Sequence, residues 1–264
     1  MEWIWKEKFL EVDLGYAVAL GGKGGTGKTT IAGLLIRYMI NHGMKPLLAI
    51  DADSNSNLNE VLGVRLEDTL SEAREEMKTS VPVGMTKDIF MEMKVEQALV
   101  EAGGFDLIAM GRPEGPGCYC AANNLLSSLI DRLIENYPFI VIDNEAGMEH
   151  FSRLTQKDID LLILVSDPSR RGLSAACRIA ELVKTLPIRV SKIVLVINQV
   201  REEPEVLPEE VQRIFGKGKI CSLPADPLVS KFDLEGKPTI MLPDDAPVLK
   251  AADEMFEKIL TDAA

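Results

Sequence analysis

The chain has 264 residues, 46% of them hydrophobic and 27% charged, a composition that marks a folded globular protein of a size suited to one α/β domain. Its 41 acidic residues against 29 basic ones give a formal net charge of -12, which repels phosphate backbones and anionic headgroups and argues against nucleic acid and membranes as partners. Apolar runs are too short to span a bilayer and four cysteines make no disulfide framework, so a reduced, cytoplasmic protein is expected.

In chain order, residues 1–13 form a short N-terminal extension in which Trp3 and Trp5 alternate with Ile4 and Lys6, open to reading as an added edge strand. Short runs rich in Val, Ile and Leu follow at Tyr16 to Leu20, Pro46 to Ile50, Phe105 to Met110, Phe139 to Ile142, Leu161 to Val165 and Lys192 to Ile197. Because these runs are nearly continuous in apolar character, both faces of their sheet must be covered, which predicts a doubly wound, mostly parallel α/β fold. Helical spacing of apolar residues predicts helices over Lys28 to Asn41, Ala122 to Asn136, Leu173 to Thr185 and Pro247 to Leu260. The polar, Met-rich stretch from about 67 to 104 reads either as a flexible recognition surface or as a loosely packed helical insertion.

The segment GGKGGTGKTT leaves the first strand and opens the first helix, the context in which a glycine-rich loop becomes a phosphate site. Gly21, Gly22, Gly24, Gly25 and Gly27 let successive backbone N–H groups around Thr26 turn toward phosphate oxygens, helped by the helix N-terminus. Lys28 would neutralise the β and γ phosphates, Thr29 would offer its hydroxyl to Mg²⁺, and Thr30 would reach the α phosphate. A Mg²⁺-dependent ATPase binding ATP and ADP is the predicted activity. Lys23, a second lysine inside the loop, would point at the phosphates or across a two-fold interface to a partner's nucleotide.

KGGTGKT resembles the deviant P-loop of the ATPases that include MinD, ParA and the nitrogenase iron protein. That resemblance implies that DADSNSN is a first switch, with Asp53 orienting the attacking water, Asp51 near the magnesium shell, and Asn57 within the same segment. It implies that FIVIDNEAG is the Walker B strand and second switch, with Asp143 holding Mg²⁺ through water and Glu145 and Gly147 sensing the γ phosphate. It further implies that Asn198 reads adenine and that Pro224 and Asp226 flank the base, although Asn198 and Asp226 are also residues suited to helix caps. His150, a lone histidine with no triad partner, is expected to pack rather than catalyse.

The segment GRPEGPGCYCAAN follows the strand that ends near Met110. Two cysteines at i and i+2 in an extended segment direct both sulfurs to one side, so Cys118 and Cys120 can supply two soft metal ligands. A zinc site needs four, and the chain has two histidines, His42 and His150, to complete it. A homodimer solves the count, since Cys118 and Cys120 from both subunits would make a four-sulfur interfacial site for Ni²⁺, Zn²⁺ or an iron–sulfur cluster. The plain alternative is a pair of free thiols.

The P-loop, DNEAGMEH and CYC in this order resemble the CooC-like nickel-inserting ATPases that mature carbon monoxide dehydrogenase, and the related factor for acetyl-CoA synthase. The resemblance implies an ATP-driven metallochaperone whose partner is one of those nickel enzymes. Two rivals stand beside it: a reductase of the nitrogenase iron protein type, whose second cluster cysteine is missing from DNEAGMEHFS, and a MinD- or ParA-like positioning ATPase. The latter would want a basic membrane or DNA surface, whereas residues 250–264 hold four acidic residues and two lysines.

Overall fold

In the computed structural model, residues 15–112, 120–145, 158–185, 188–202 and 206–261 are described. Eight strands form one sheet: β1 Tyr16–Gly22, β2 Leu47–Ala52, β3 Val100–Glu101, β4 Asp106–Ala109, β5 Phe139–Asn144, β6 Ile159–Ser166, β7 Val190–Val200 and β8 Ile220–Pro224. Their order is β3-β4-β2-β5-β1-β6-β7-β8, and every neighbouring pair is parallel except the antiparallel edge pair β3 and β4.

The six predicted strands are all present, and the continuous apolar runs mean what parallel strands require, burial on both sides. Strand periodicity then divides each run between two cores. Ala17, Ala19, Ile50, Ile142 and Leu164 point into one; Val18, Leu20, Ala49, Val141 and Ile163 point into the other. The first core is closed by α3 Leu70–Thr79, α4 Lys87–Ala98, α5 Cys120–Ile134, α6 Arg170–Val183 and α7 Glu209–Phe215. The second is closed by α1 Lys28–Asn41, α2 Leu58–Leu62, α8 Pro227–Leu234 and α9 Pro247–Thr261.

The Met-rich stretch resolves into α3, α4 and β3. Met77 and Met91 are buried in the first core and Met85 and Met93 pack against it, which is the arrangement of a packed helical insertion. A capping box starts it: the Thr69 side chain accepts from the Glu72 N–H, and the Glu72 carboxylate accepts from the Thr69 N–H at 2.7 Å. Among the described residues no helix is long and apolar enough to cross a membrane.

Two features of the structure go beyond the predicted elements. Helix α5 starts at Cys120 rather than at the predicted Ala122, so Cys120 has helical backbone, while Cys118 lies outside the described residues. Strand β8 was not predicted, because ICSLP is half-buried and lacks the apolar run that marked the others.

Candidate functional site

The centre strands β2, β5, β1 and β6 all end at one edge of the sheet, where a doubly wound fold binds its ligand. The phosphate loop leaves β1 there. Gly22 has φ 146, and a Cβ on it would lie 2.2 Å from the Val165 carbonyl oxygen of β6, so no side chain fits at the loop's base. The loop is closed internally by the Lys23 carbonyl, which accepts from the Thr26 hydroxyl at 2.8 Å and from Lys28 Nζ at 3.3 Å. Lys28 is 7% exposed, while the Lys23 side chain is free to project into solvent.

Helix α1 begins at Lys28 behind Gly27, with no side-chain cap and no acidic residue in its first turn. Its unpaired N–H groups and the positive end of its dipole are left for an anion, which is the fit that a nucleotide phosphate requires. Helix α1 ends at the opposite extreme. There His42 stacks on Tyr38 at 4.0 Å, about 20 Å along the axis from the phosphate loop. His42 therefore supplies no ligand at this edge.

Asp51 and Asp143 close the site from below, adjacent in the β2–β5 register and each 1% exposed. Asp51 accepts from the Asp53 N–H at 3.1 Å and the Leu58 N–H at 2.9 Å, tying the DADSNSN segment to the start of α2. Burial pushes its carboxyl up to about 6, opposed by those two N–H groups. Asp143 is pushed up to about 7 by burial and by the Asp51 charge, with the Thr29 side chain and Lys28 pulling it down. Neither Asp143 oxygen makes a hydrogen bond of full geometry, although the Thr29 hydroxyl is close enough to lower its pKa. Two orphaned carboxylate oxygens beside Thr29 fit a hard divalent cation, and Mg²⁺ takes few protein ligands because phosphates and water complete its shell. Among the described residues no group of three or more His, Cys, Asp or Glu could hold a metal by itself.

Asp53, half-buried, accepts from the Asn55 N–H at 2.8 Å and the Asn55 side-chain amide at 3.0 Å, an Asx turn that holds the DADSNSN segment in shape. Asp53 and Asn57 line a cleft of about 1080 Å³ together with Gly24, Lys28 and Thr29. Glu145 lies just past β5, half-buried; Gly147 and His150 lie outside the described residues, as does Cys118.

A second cleft of about 620 Å³ adjoins the first and contains Asn198, Pro224 and Asp226. Asn198 is 7% exposed and donates from Nδ2 to the Thr26 carbonyl at 2.9 Å, so it braces the phosphate loop while its oxygen remains free. Asp226 spends both oxygens on helix starts, accepting from the Leu228 N–H at 2.9 Å and the Val248 N–H at 3.2 Å. The structure thus makes Asp226 a cap for α8 and α9 at the wall of the cleft. Gln199 and Arg201 line the same cleft and carry no motif that marks them in the sequence, although they lie one and three residues after Asn198.

A profile described as the CobQ/CobB/MinD/ParA nucleotide binding domain matches residues 17–240. An ATP-binding protein of Methanocaldococcus jannaschii is 42% identical over 248 residues, 92% of this chain and 98% of that protein. The carbon monoxide dehydrogenase accessory protein CooC of Rhodospirillum rubrum is 35% identical over 189 residues, 65% of this chain and 70% of that protein. Among solved structures, the Pyrococcus furiosus cell division ATPase MinD superposes with a TM-score of 0.67 at 22% identity, covering 94% of this chain and 99% of that one.

Proposed function

The chain belongs to the CobQ/CobB/MinD/ParA nucleotide-binding domain family and is a P-loop ATPase; on that premise we propose that it is an ATP-driven metallochaperone serving a nickel enzyme. In this reading two copies form a homodimer, Cys118 and Cys120 of both bind nickel or zinc at the interface, and the client is carbon monoxide dehydrogenase or acetyl-CoA synthase. The accessory-protein relative supports the client class.

One hydrogen bond supports a coupling of ATP to metal in this reading. The Met110 N–H donates to the Asp51 carbonyl at 2.8 Å, so the strand that leads into the CYC segment is fastened to the residue that opens the first switch. In this reading, movement of the switch would pass along that bond to the root of the metal segment.

The nucleotide chemistry needs little from the chain beyond position and charge. Lys28 and the N–H groups of the loop neutralise the triphosphate. Thr29 and Asp143 would hold Mg²⁺, which when bound offsets charge between the β and γ phosphates. Asp53 would orient the attacking water, and Lys23, exposed in the single chain, would reach the partner's nucleotide. Hydrolysis would then open the dimer and free the metal for the client.

The test is metal analysis of anaerobically purified protein, with and without ATP. One nickel or zinc per dimer is expected, absent from the Cys118→Ala, Cys120→Ala double variant, which should still bind ATP. One metal per monomer, retained in that variant, refutes the interfacial site. Iron with acid-labile sulfide would replace the reading by the cluster-bearing reductase.

A further inference from the structure

Asn198 and Gln199 leave the β7–β8 ladder together. Ile197 pairs with Ser222 and pairing resumes at Val200 with Pro224, so two residues of β7 stand against the single residue Leu223, a β-bulge. Gln199 takes φ 60, a left-handed conformation uncommon for a glutamine. Such backbone outliers persist where the surrounding structure holds them for a purpose, and bulges re-aim side chains. Here the bulge sends the two amides apart: Asn198 turns inward onto Thr26, and Gln199 turns outward and is exposed.

Gln199 lines both clefts, the one that holds Pro224 and the one that holds Lys28 and Asp53. Among the described residues, only Gly27 and Thr30 share that position. Gly27 has no side chain to offer, and Gln199 Nε2 lies 3.9 Å from where a Cβ on Gly27 would sit. The amide is thus placed over the junction between the base cleft and the phosphate loop. In a nucleotide the group between base and phosphate is the ribose, whose hydroxyls each donate and accept, and a glutamine amide matches both roles with its oxygen and its NH₂. We propose that Gln199 is a specificity-determining residue that hydrogen-bonds the ribose hydroxyls of ATP.

This reading rests on the nucleotide site alone and is independent of the metal. The experiment compares ATP with 2′,3′-dideoxy-ATP, each with Mg²⁺, by calorimetry on the parent, Gln199→Gly and Gln199→Asn. Glycine accepts φ 60 without strain, so it deletes the amide while keeping the backbone, and asparagine tolerates the same conformation with a shorter amide. The parent should prefer ATP over the dideoxy nucleotide. Gln199→Gly should weaken ATP about three- to tenfold, the scale of a neutral hydrogen bond, and leave the dideoxy nucleotide unchanged. Its melting temperature should equal or exceed the parent's, and Gln199→Asn should recover part of the preference. Equal losses for both nucleotides, no loss for ATP, or a parent that binds both alike would each overturn the assignment.

Discussion

Asp51 and Asp143 lie side by side in register between β2 and β5, and although both are buried, only Asp51 has its oxygens satisfied by backbone N–H groups. Burial raises both carboxyls, Asp51 to about 6 and Asp143 to about 7. A carboxyl whose folded pKa exceeds its unfolded one binds more protons in the folded state, so its contribution to stability declines as pH rises from about 4 toward 7. The nucleotide-free protein should therefore melt at a higher temperature at pH 5.5 than at pH 8, as far as these two groups decide it, and Mg²⁺ with ADP should flatten the slope. Asp143→Asn should stabilise the nucleotide-free protein at pH 8 by on the order of 1–3 kcal/mol and abolish the Mg²⁺ dependence of nucleotide binding. A variant less stable than the parent at pH 8 would show that Asp143 is not held there at a cost.

Lys28 and Asp53 should separate binding from hydrolysis. Lys28 is buried with its Nζ donating to the Lys23 carbonyl of the loop, so Lys28→Ala should weaken ATP binding about 10- to 100-fold. Asp53 touches only its own turn, so Asp53→Ala should bind ATP with little loss and fail to turn it over. Unchanged phosphate release in a steady-state assay of Asp53→Ala would remove Asp53 from the mechanism.

Asp226 is a structural prediction at the edge of the cleft that contains Asn198 and Pro224. It caps α8 through Leu228 and the start of α9 through Val248. Asp226→Ala should cost about 1–3 kcal/mol in denaturant unfolding, since it removes two caps at once, while Asp226→Asn should cost less. A destabilisation below about 0.5 kcal/mol would mean that the second cap contributes nothing.

Much of this was legible in the sequence because it depended on local pattern. The bounds of α1 are those predicted from helical spacing behind the glycine-rich loop, and six strands were legible because burial on both faces leaves an unbroken apolar run. The features that escaped depend on distant partners. The second helix that Asp226 caps begins 22 residues away from it, and the aim of Gln199 follows from a bulge, a property of two strands and not of one. Strand β8 carries Cys221, Ser222 and a single buried leucine, too little apolar signal for a strand that only the sheet defines. Cys120 lay at a helix start because a helix boundary set by tertiary packing can fall two residues from the one its periodicity suggests.

Lys23 tests whether hydrolysis needs a second copy. Its side chain is exposed and only its carbonyl takes part in the loop's own hydrogen bonds, so the single chain gives the charge nothing to do. Turnover per chain should rise with protein concentration in the parent, and Lys23→Ala should lose turnover by about 10-fold or more with ATP affinity nearly intact. If the parent's turnover per chain were the same across a hundredfold dilution, Lys23 would not be acting across an interface.

The last prediction follows from the bond between Met110 and Asp51, which joins the strand that runs into DADSNSN to the one that runs into the CYC segment. If ATP and metal both favour one closed dimer, each must raise the other's affinity by the same factor, because coupling between two binding equilibria is reciprocal. Titrating nickel with and without a non-hydrolysable ATP analogue, and the analogue with and without nickel, should give two equal ratios, on the order of 5- to 100-fold. The coupling should vanish in the Cys118→Ala, Cys120→Ala variant, while the analogue's affinity falls back to its metal-free value. Metal affinity should also decline as pH drops, since thiolates must be deprotonated to bind. A ratio of one in both directions, with nickel bound and the dimer formed, would mean that the two sites share a chain without sharing a switch, and the transport cycle would lose its drive.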